Sequence, residues 1–425
     1  MIFYSLFDLY NLKRNQWLST KELEEIQNRK LKRLINHAYE NVPYYHKLFD
    51  SVNVKVEDIK TVEDLYKIPI TNKLTLQSLP ITEITAKNVS LSKCVRKRTS
   101  GSHGIPLTIY YHKKDKNFLD MVWARARLEN GQRLIDKRVS IRNPHYFPTK
   151  KRWYEHFSIW RRVNISCFDD VENQLKILEK VNPEVITSYP SSLKLLAMAL
   201  EEQKNRKINS RLIFTSTELL NADARRFIQS KFEAPIFDFY GANELGLIAW
   251  ECNKRSGYHI NIDSVVVEFI WNGKKIKSGE RGKLICTALH SYAMPFIRYE
   301  IGDVGIKSDE KCACERGLPL MRIIEGRIDD FIVLPDEKMV SPYSLIYIMK
   351  NIPGISRYQI IQEEKDKILV LIIKGKEFTQ HTITSIRRNL EKALGKDVKI
   401  DIKIVDNIPC DKSGKFRVVK SKVNK

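Results

Sequence analysis

Two short apolar runs, EVITSY at 184–189 and RLIFTS at 211–216, each follow a stretch with helical spacing, 171–181 and 191–203, and each ends in turn residues. A chain that alternates helices with short apolar strands folds by sandwiching a sheet between helices, and its ligand-binding loops then lie at the strand ends. An α/β body is therefore the first expectation. Residues 21–40, KELEEIQNRKLKRLINHAYE, add an amphipathic helix, with Leu23, Ile26, Leu31, Leu34, Ile35 and Ala38 on one face and charged residues between them. Pro43 breaks it, and Tyr44, Tyr45 and Phe49 follow.

The character changes after about residue 326. YQIIQEEKDKILVLIIK reads as two strands around a charged turn, TITSIRRNLEKALG as a helix and VKIDIKIV as an alternating strand. This is the pattern of a small α+β domain. The change falls at EGRIDDF, where a glycine and successive charges interrupt apolar runs. A chain of 425 residues exceeds one ordinary compact domain, and the expected division is 1–326 for the large N-terminal α/β body and 327–425 for the small C-terminal domain.

Lys and Arg total 73 against 51 Asp and Glu, a formal charge of +22, which favours anionic partners such as nucleotides or coenzyme A. The basic runs at 93–98 and 150–152 are short and carry no groove-reading pattern, so nucleic acid is not an expected partner. No stretch approaches the roughly twenty apolar residues that cross a bilayer. The opening MIFYSLFDLY lacks the flanks of a signal peptide, and seven unevenly spaced cysteines do not form a secreted disulfide framework. The expected location is the cytoplasm.

Residues 98–111, RTSGSHGIPLTIYY, set Thr99, Ser100, Gly101, Ser102 and Gly104 just before a β-branched stretch. So bare a backbone either makes an ordinary turn or brings its N–H groups close to a phosphate tail. FDFYGANELG at 237–246 delivers Glu244 beyond an aromatic strand ending at Tyr240, either as a surface glutamate or as a carboxylate able to hold Mg²⁺. MPFIRYEIGDVG at 294–305 ends a strand with Gly302, Asp303 and Gly305, a common turn composition that also suits a carboxylate accepting from ribose hydroxyls. EGRIDDF sets Arg327 and Asp329 at the domain junction. IPCDKSGKFR carries Lys415 beside a glycine, on a basic tail or as an ammonium that offsets charge on a phosphoryl group. Cys252 and His259, with Cys312 and Cys314 much further on, make a complete donor set for tetrahedral structural zinc; scattered core cysteines or a CxC redox pair are the alternatives.

In this order the segments resemble the adenylate-forming (acyl-activating) enzymes, and within them the phenylacetate-CoA ligase branch with its capsular-polysaccharide-associated and coenzyme F390 synthetase-like relatives. The resemblance runs from LSTKELEEIQNRKL and NVPYYHKLFD to DKSGKFR. It implies ATP-dependent activation of a small carboxylic acid to an acyl-AMP, followed by transfer to coenzyme A. An amine or hydroxyl acceptor, AMP transfer to a phenol, and an inactive nucleotide-binding scaffold are the other readings. By the same resemblance Thr99, Ser100, Gly101, Ser102 and Gly104 close over the ATP phosphates. Tyr240 and Gly241 lie beside the adenine and acyl pocket with Asn243 near the phosphates, and Glu244 reaches Mg²⁺. Asp303 holds the ribose with Arg327 assisting, Asp329 is the hinge of a mobile C-terminal domain, and Lys415 serves adenylation alone. His145, Tyr146 and Phe147, in RNPHYFPTKKRWYEHF, fall where the family builds its acyl pocket.

Two departures from the family pattern stand out. His103 and Ile105 replace a hydroxyl residue and a lysine in the loop, which removes a phosphate-facing cation, and Asn243 replaces Ser or Thr. Relatives in this branch look similar around Cys252, His259, Cys312 and Cys314, which favours structural Zn²⁺ there, and many are homodimers.

Overall fold

The computed structural model describes residues 2–99, 106–148, 159–203, 206, 208–349, 352–395, 397–411 and 414–423. It divides into two compact units, one of Met1–Arg133, Phe237–Ile301 and Gly305–Ile323, the other of Leu134–Ile236, Gly302–Val304 and Ile324–Lys425. Architecture and strand-helix alternation are those of an α/β protein with a small α+β C-terminal part.

In the first unit the helix Thr20–Asn41 starts at Ser19, whose hydroxyl accepts from Glu22 N–H while Glu22 returns its carboxylate to Ser19 N–H at 2.9 Å. This reciprocal cap satisfies two donors that a helix start leaves unpaired. Pro43, which fits a first helical position, opens the next helix, Pro43–Ser51. The buried stripe Leu31, Leu34, Ile35 and Ala38 packs on Tyr45, Phe49, Leu65, Val266, Leu289 and Ile297. Behind it lie antiparallel strands, Val265–Trp271 on Arg281–Ala288 and Gly246–Glu251 on Tyr258–Ile260. Arg125, fully buried, donates to both carboxylate oxygens of Asp263 and to Asn261 Oδ1, and Asn261 Oδ1 also accepts from Trp250 Nε1.

The second unit holds a parallel sheet in the order Arg162–Ser166, Arg138–Arg142, Val185–Ser188, Leu212–Ser216. Helices Val171–Val181, Pro190–Glu202 and Ala222–Phe232 supply the crossovers, and Leu175, Leu178, Leu193, Leu196, Ile228 and Phe232 close its core with Val139, Ile141, Ile165 and Ile186. Further on, Ile355–Glu364 and Lys367–Lys374 form a hairpin flanked in parallel by Lys399–Ile404 and Val419–Ser421. Ile386, Leu390 and Leu394 of the helix Gln380–Leu394 cover it.

Two turns read from the sequence lie elsewhere. The strand through Tyr240 runs on to Ala242 and folds back at once into Gly246–Glu251. Gly241 permits this, because a Cβ there would stand 2.5 Å from Gly246 O. Gly302, Asp303 and Gly305 are inside the strand Tyr299–Lys307 rather than at its end, with Gly302 at φ +81°. Glycine adopts that left-handed backbone without a Cβ penalty, so the strand continues through it.

Candidate active site

The strands Val95–Arg98 and Thr108–Tyr111 pair antiparallel and hold the root of the Gly/Ser loop. Thr99 N–H donates to Leu107 O at 3.0 Å, and Leu107 N–H returns to Thr99 Oγ1 at 2.9 Å. Ser100, Gly101, Ser102 and Gly104, with His103 and Ile105, lie outside the described residues. Two long-range bonds tie the root to the Tyr240 hairpin. Tyr111 OH donates to the Asn243 carbonyl, and Asn243 Nδ2 donates to Arg98 O at 3.3 Å. Burial, then the Glu244 and Asp115 carboxylates, hold the Tyr111 phenol well above its ordinary range, so it remains a donor. Glu244 is 9% exposed and accepts from Tyr299 OH at 3.2 Å. A fixed, nearly buried carboxylate is the kind of oxygen ligand that Mg²⁺ takes.

The second unit gathers its polar groups at the carboxyl ends of its parallel strands, where open α/β sheets place ligands. Arg142 ends one strand and reaches Asn164 Oδ1 at 3.1 Å. Cys167, Tyr189 and Glu218 follow the ends of three others. The loop carrying Lys415 is held there. Asp411 N–H donates to Lys415 O at 2.9 Å and Asp411 Oδ1 accepts from Lys415 N–H at 3.0 Å, while Phe416 N–H donates to Glu218 Oε1 at 2.8 Å. Gly414, at φ +82°, lies so close to Cys167 that a Cβ would stand 2.4 Å from its sulfur. Burial lowers the Lys415 pKa from the ordinary lysine range; Asp411 and Glu218 oppose this, Arg327 adds to it, and Asp303 opposes it. Lys415, Asp303 and Arg327 thus share one neighbourhood.

Arg327 Nε lies 3.9 Å from Asp303 Oδ1, with its guanidinium over Gly302. Asp329 belongs to the single turn Ile328–Asp330, and the next residue, Asp330, accepts from Arg417 Nε at 3.1 Å. The turn that carries the hinge candidate and the segment that follows Lys415 are therefore joined by the Asp330–Arg417 ion pair, which spacing alone does not reveal. His145 is exposed, and Tyr146 and Phe147 are half-buried, on a turn begun by Asn143 Oδ1 accepting from His145 N–H at 2.8 Å. Glu218 and Asp330 are the groups that the sequence reading missed; each is one carboxylate in a polar stretch, with nothing local to mark it.

Cys252, His259, Cys312 and Cys314 come together with their ligand atoms all within 4.8 Å. The Cys252 and Cys312 sulfurs are 3.6 Å apart, and Cys314 Sγ is 3.3 Å from His259 Nε2. Tetrahedral zinc with bonds of about 2.0–2.3 Å sets its ligand atoms about 3.3–3.8 Å apart, so this donor set fits. The other imidazole nitrogen, Nδ1, lies 3.3 Å from Leu318 O, the carbonyl contact that orients a ligating histidine, and burial pushes His259 down to about 4, leaving it neutral.

Residues 332–422 match the CapK C-terminal domain family. Across most of its length the chain is similar to a phenylacetate-coenzyme A ligase of Thermus thermophilus, 26% identical with 81% of this chain and 79% of that protein covered. It is 25% identical to one from Aromatoleum evansii, covering 91% and 88%, and 23% identical to protein CapK of Staphylococcus aureus, covering 93% and 88%. Among solved structures, a 2-hydroxyisobutyryl-CoA ligase in the postadenylation state superposes with a TM-score of 0.80 at 17% identity, covering 96% of this chain and 92% of that one. An anthranilate CoA ligase with bound anthranoyl-AMP gives 0.59 at 16%, covering 80% and 69%. The chain is thus similar over most of its length to phenylacetate-coenzyme A ligases, shares its fold with CoA ligases of solved structure, and matches the CapK C-terminal domain family over residues 332–422.

Proposed function

We propose that the protein is an ATP-dependent carboxylate ligase that makes an acyl-AMP and passes the acyl group to coenzyme A. The observation that carries this reading is the Lys415 loop, held at the carboxyl ends of the parallel strands with Asp303 and Arg327 beside the ammonium. In the first half-reaction the substrate carboxylate attacks the α-phosphorus of ATP and pyrophosphate leaves. Negative charge builds on the α-phosphoryl oxygens, and Lys415 offsets it. Thr99 and the loop it closes would hold the β- and γ-phosphates, and Asn243 would donate to a phosphate oxygen. Asp303 would accept from the ribose hydroxyls with Arg327 supporting it, while Tyr240 and Gly241 would line the adenine and acyl pocket with His145, Tyr146 and Phe147. Glu244 would hold Mg²⁺, which when bound neutralises phosphate charge. In the second half-reaction residues 327–425 turn about Asp329, Lys415 leaves, and the coenzyme A sulfur attacks the acyl carbonyl to release AMP.

Cys252, His259, Cys312 and Cys314 would hold a structural Zn²⁺, whose four protein ligands leave no position for substrate. The reading places the reaction in the cytoplasm, where ATP and coenzyme A are available, and extends to a homodimer, for which the exposed Leu6, Phe7 and Tyr10 of the first helix offer an apolar surface.

The test is exchange of labelled pyrophosphate into ATP with a panel of aryl, fatty, hydroxy and amino acids, phenylacetate first. Exchange with one acid class, reduced about a hundredfold or more by Lys415→Ala, is the expected result. Nucleotide binding without exchange for any acid would overturn it. The product mass identifies the acceptor: a coenzyme A thioester is expected, and an amide, an ester or an adenylylated phenol would replace that assignment.

A further inference from the structure

Glu218 accepts three hydrogen bonds at the strand ends of the second unit, and the roles assigned above do not use it. It follows the strand Leu212–Ser216, with Thr217 between them at φ +75°. Its Oε2 accepts from Ser191 N–H at 2.9 Å, and its Oε1 accepts from Ser191 Oγ at 2.9 Å and from Phe416 N–H at 2.8 Å. Ser191 lies in the first turn of the helix Pro190–Glu202, whose unpaired N–H groups and dipole favour an anion. One carboxylate thus takes three donors, two from the α/β part and one from the Lys415 loop.

Phe416 N–H belongs to the peptide that begins at the Lys415 carbonyl. A hydrogen bond on that N–H fixes the peptide plane next to the Lys415 Cα, and with it the direction in which the side chain leaves the loop. Gly414 against Cys167 is the second point of attachment, two residues before Phe416, and it tolerates no Cβ. A loop held at both sides of Lys415 has little freedom to misplace its ammonium. Burial pushes the Glu218 carboxyl up, and the Phe416 and Ser191 hydrogen bonds and the Lys415 charge draw it back down, so docking the loop is part of what keeps this anion satisfied.

We infer that Glu218 is a positioning residue that latches the Lys415 loop in place for adenylation, and that thioester formation proceeds with the latch released. The inference rests on the proposed role of Lys415. The competing role for Glu218 is structural: to cap the helix Pro190–Glu202 through Ser191 and nothing more.

The two roles separate in half-reaction assays of Glu218→Ala and Gly414→Ala in the full-length protein. Alanine leaves Phe416 N–H without the Glu218 acceptor, whereas an amide with its oxygen in the Oε1 place would keep that bond and lose only the one from Ser191 N–H. Gly414→Ala attacks the same docking from the loop and leaves Glu218 and the helix cap untouched. Losing a hydrogen bond to a charged group corresponds to about tenfold to a hundredfold, so pyrophosphate exchange with phenylacetate falls by that much in both variants. Thioester formation from synthetic phenylacetyl-AMP and coenzyme A stays within about twofold of the wild type, the split expected of an interaction made in one step only. Equal loss in both half-reactions, or exchange that is unchanged, overturns the latch. Amide hydrogen exchange of the peptide spanning 414–417 decides the matter without any acid. Protection lost in Glu218→Ala supports the latch and unchanged protection overturns it, even if phenylacetate is not a substrate and the proposed ligase reading fails.

Discussion

The Arg327 guanidinium lies across Gly302, its terminal nitrogen 2.9 Å from where a Cβ on that glycine would stand, and this contact sets the arginine beside Asp303. Gly302→Ala forces either the backbone or the arginine to give way. The arginine is the far end of a flexible side chain, so it moves first, while a left-handed alanine adds strain of about 1–2 kcal/mol. The expected outcome is nucleotide binding weakened about tenfold, a change of about 1.4 kcal/mol, with a smaller fall in Tm. Calorimetric titration with ATP and a thermal melt of the same variant check it; unchanged affinity would separate Arg327 from the nucleotide.

The depressed pKa of Lys415 makes a statement about pH. In the proposed role the charged form offsets phosphoryl charge, so kcat/KM for adenylation is expected to fall as pH rises through that lowered pKa. The alkaline limb therefore appears below the ordinary lysine value of about 10.4. Asp411 is the largest charge holding the pKa up, and Asp411→Asn, which keeps the Oδ1 acceptor for Lys415 N–H, moves the limb to still lower pH. The sign for stability is the opposite of that for a paired lysine. The unfolded chain binds this proton more tightly, so burial of Lys415 costs stability at neutral pH and the cost fades as pH rises through the lowered value. A pH–rate profile with its alkaline limb at the ordinary lysine position would contradict the assignment.

Metal analysis of protein purified without added zinc is expected to find about one equivalent per chain, because four converging donors form a closed site. Cys312→Ser removes one of the three thiolates in the four-donor set. Bound metal and Tm both fall, and a strong chelator reproduces the effect on the wild type. Metal-free protein whose Tm is unmoved by Cys312→Ser would leave the four side chains as a packed cluster.

Asp263→Asn is expected to be among the most damaging isosteric changes in the first unit. Arg125 and Asp263 are both fully buried, and the arginine keeps only neutral partners, Asn261 Oδ1 at 2.6 Å and Leu12 O at 2.9 Å, when its counter-charge is removed. Stranding a buried charge costs about 3–5 kcal/mol. Thermal denaturation should show a drop of many degrees, and a shift of only a degree or two would mean that the neutral partners suffice.

Elements whose cause is local were legible in the sequence. The helices Thr20–Asn41, Val171–Val181 and Gln380–Leu394 and the strands Val185–Ser188, Leu212–Ser216 and Lys399–Ile404 fall where periodicity puts them, because the side-chain spacing that selects a helix or a strand is written within a few residues. The donor types of the Cys252, His259, Cys312 and Cys314 set were legible too, since thiolate and imidazole chemistry belongs to the residue. Tertiary structure alone decided what faces what. Glu218 meets Phe416 across 198 residues, Tyr299 meets Glu244 across 55, and Arg125 meets Asp263 across 138. Sheet register and crossover connections set such pairings, and no local pattern encodes them. The same reason explains Gly302, which looks like a strand end in the sequence and turns out to be the place inside a strand where the backbone makes room for an arginine.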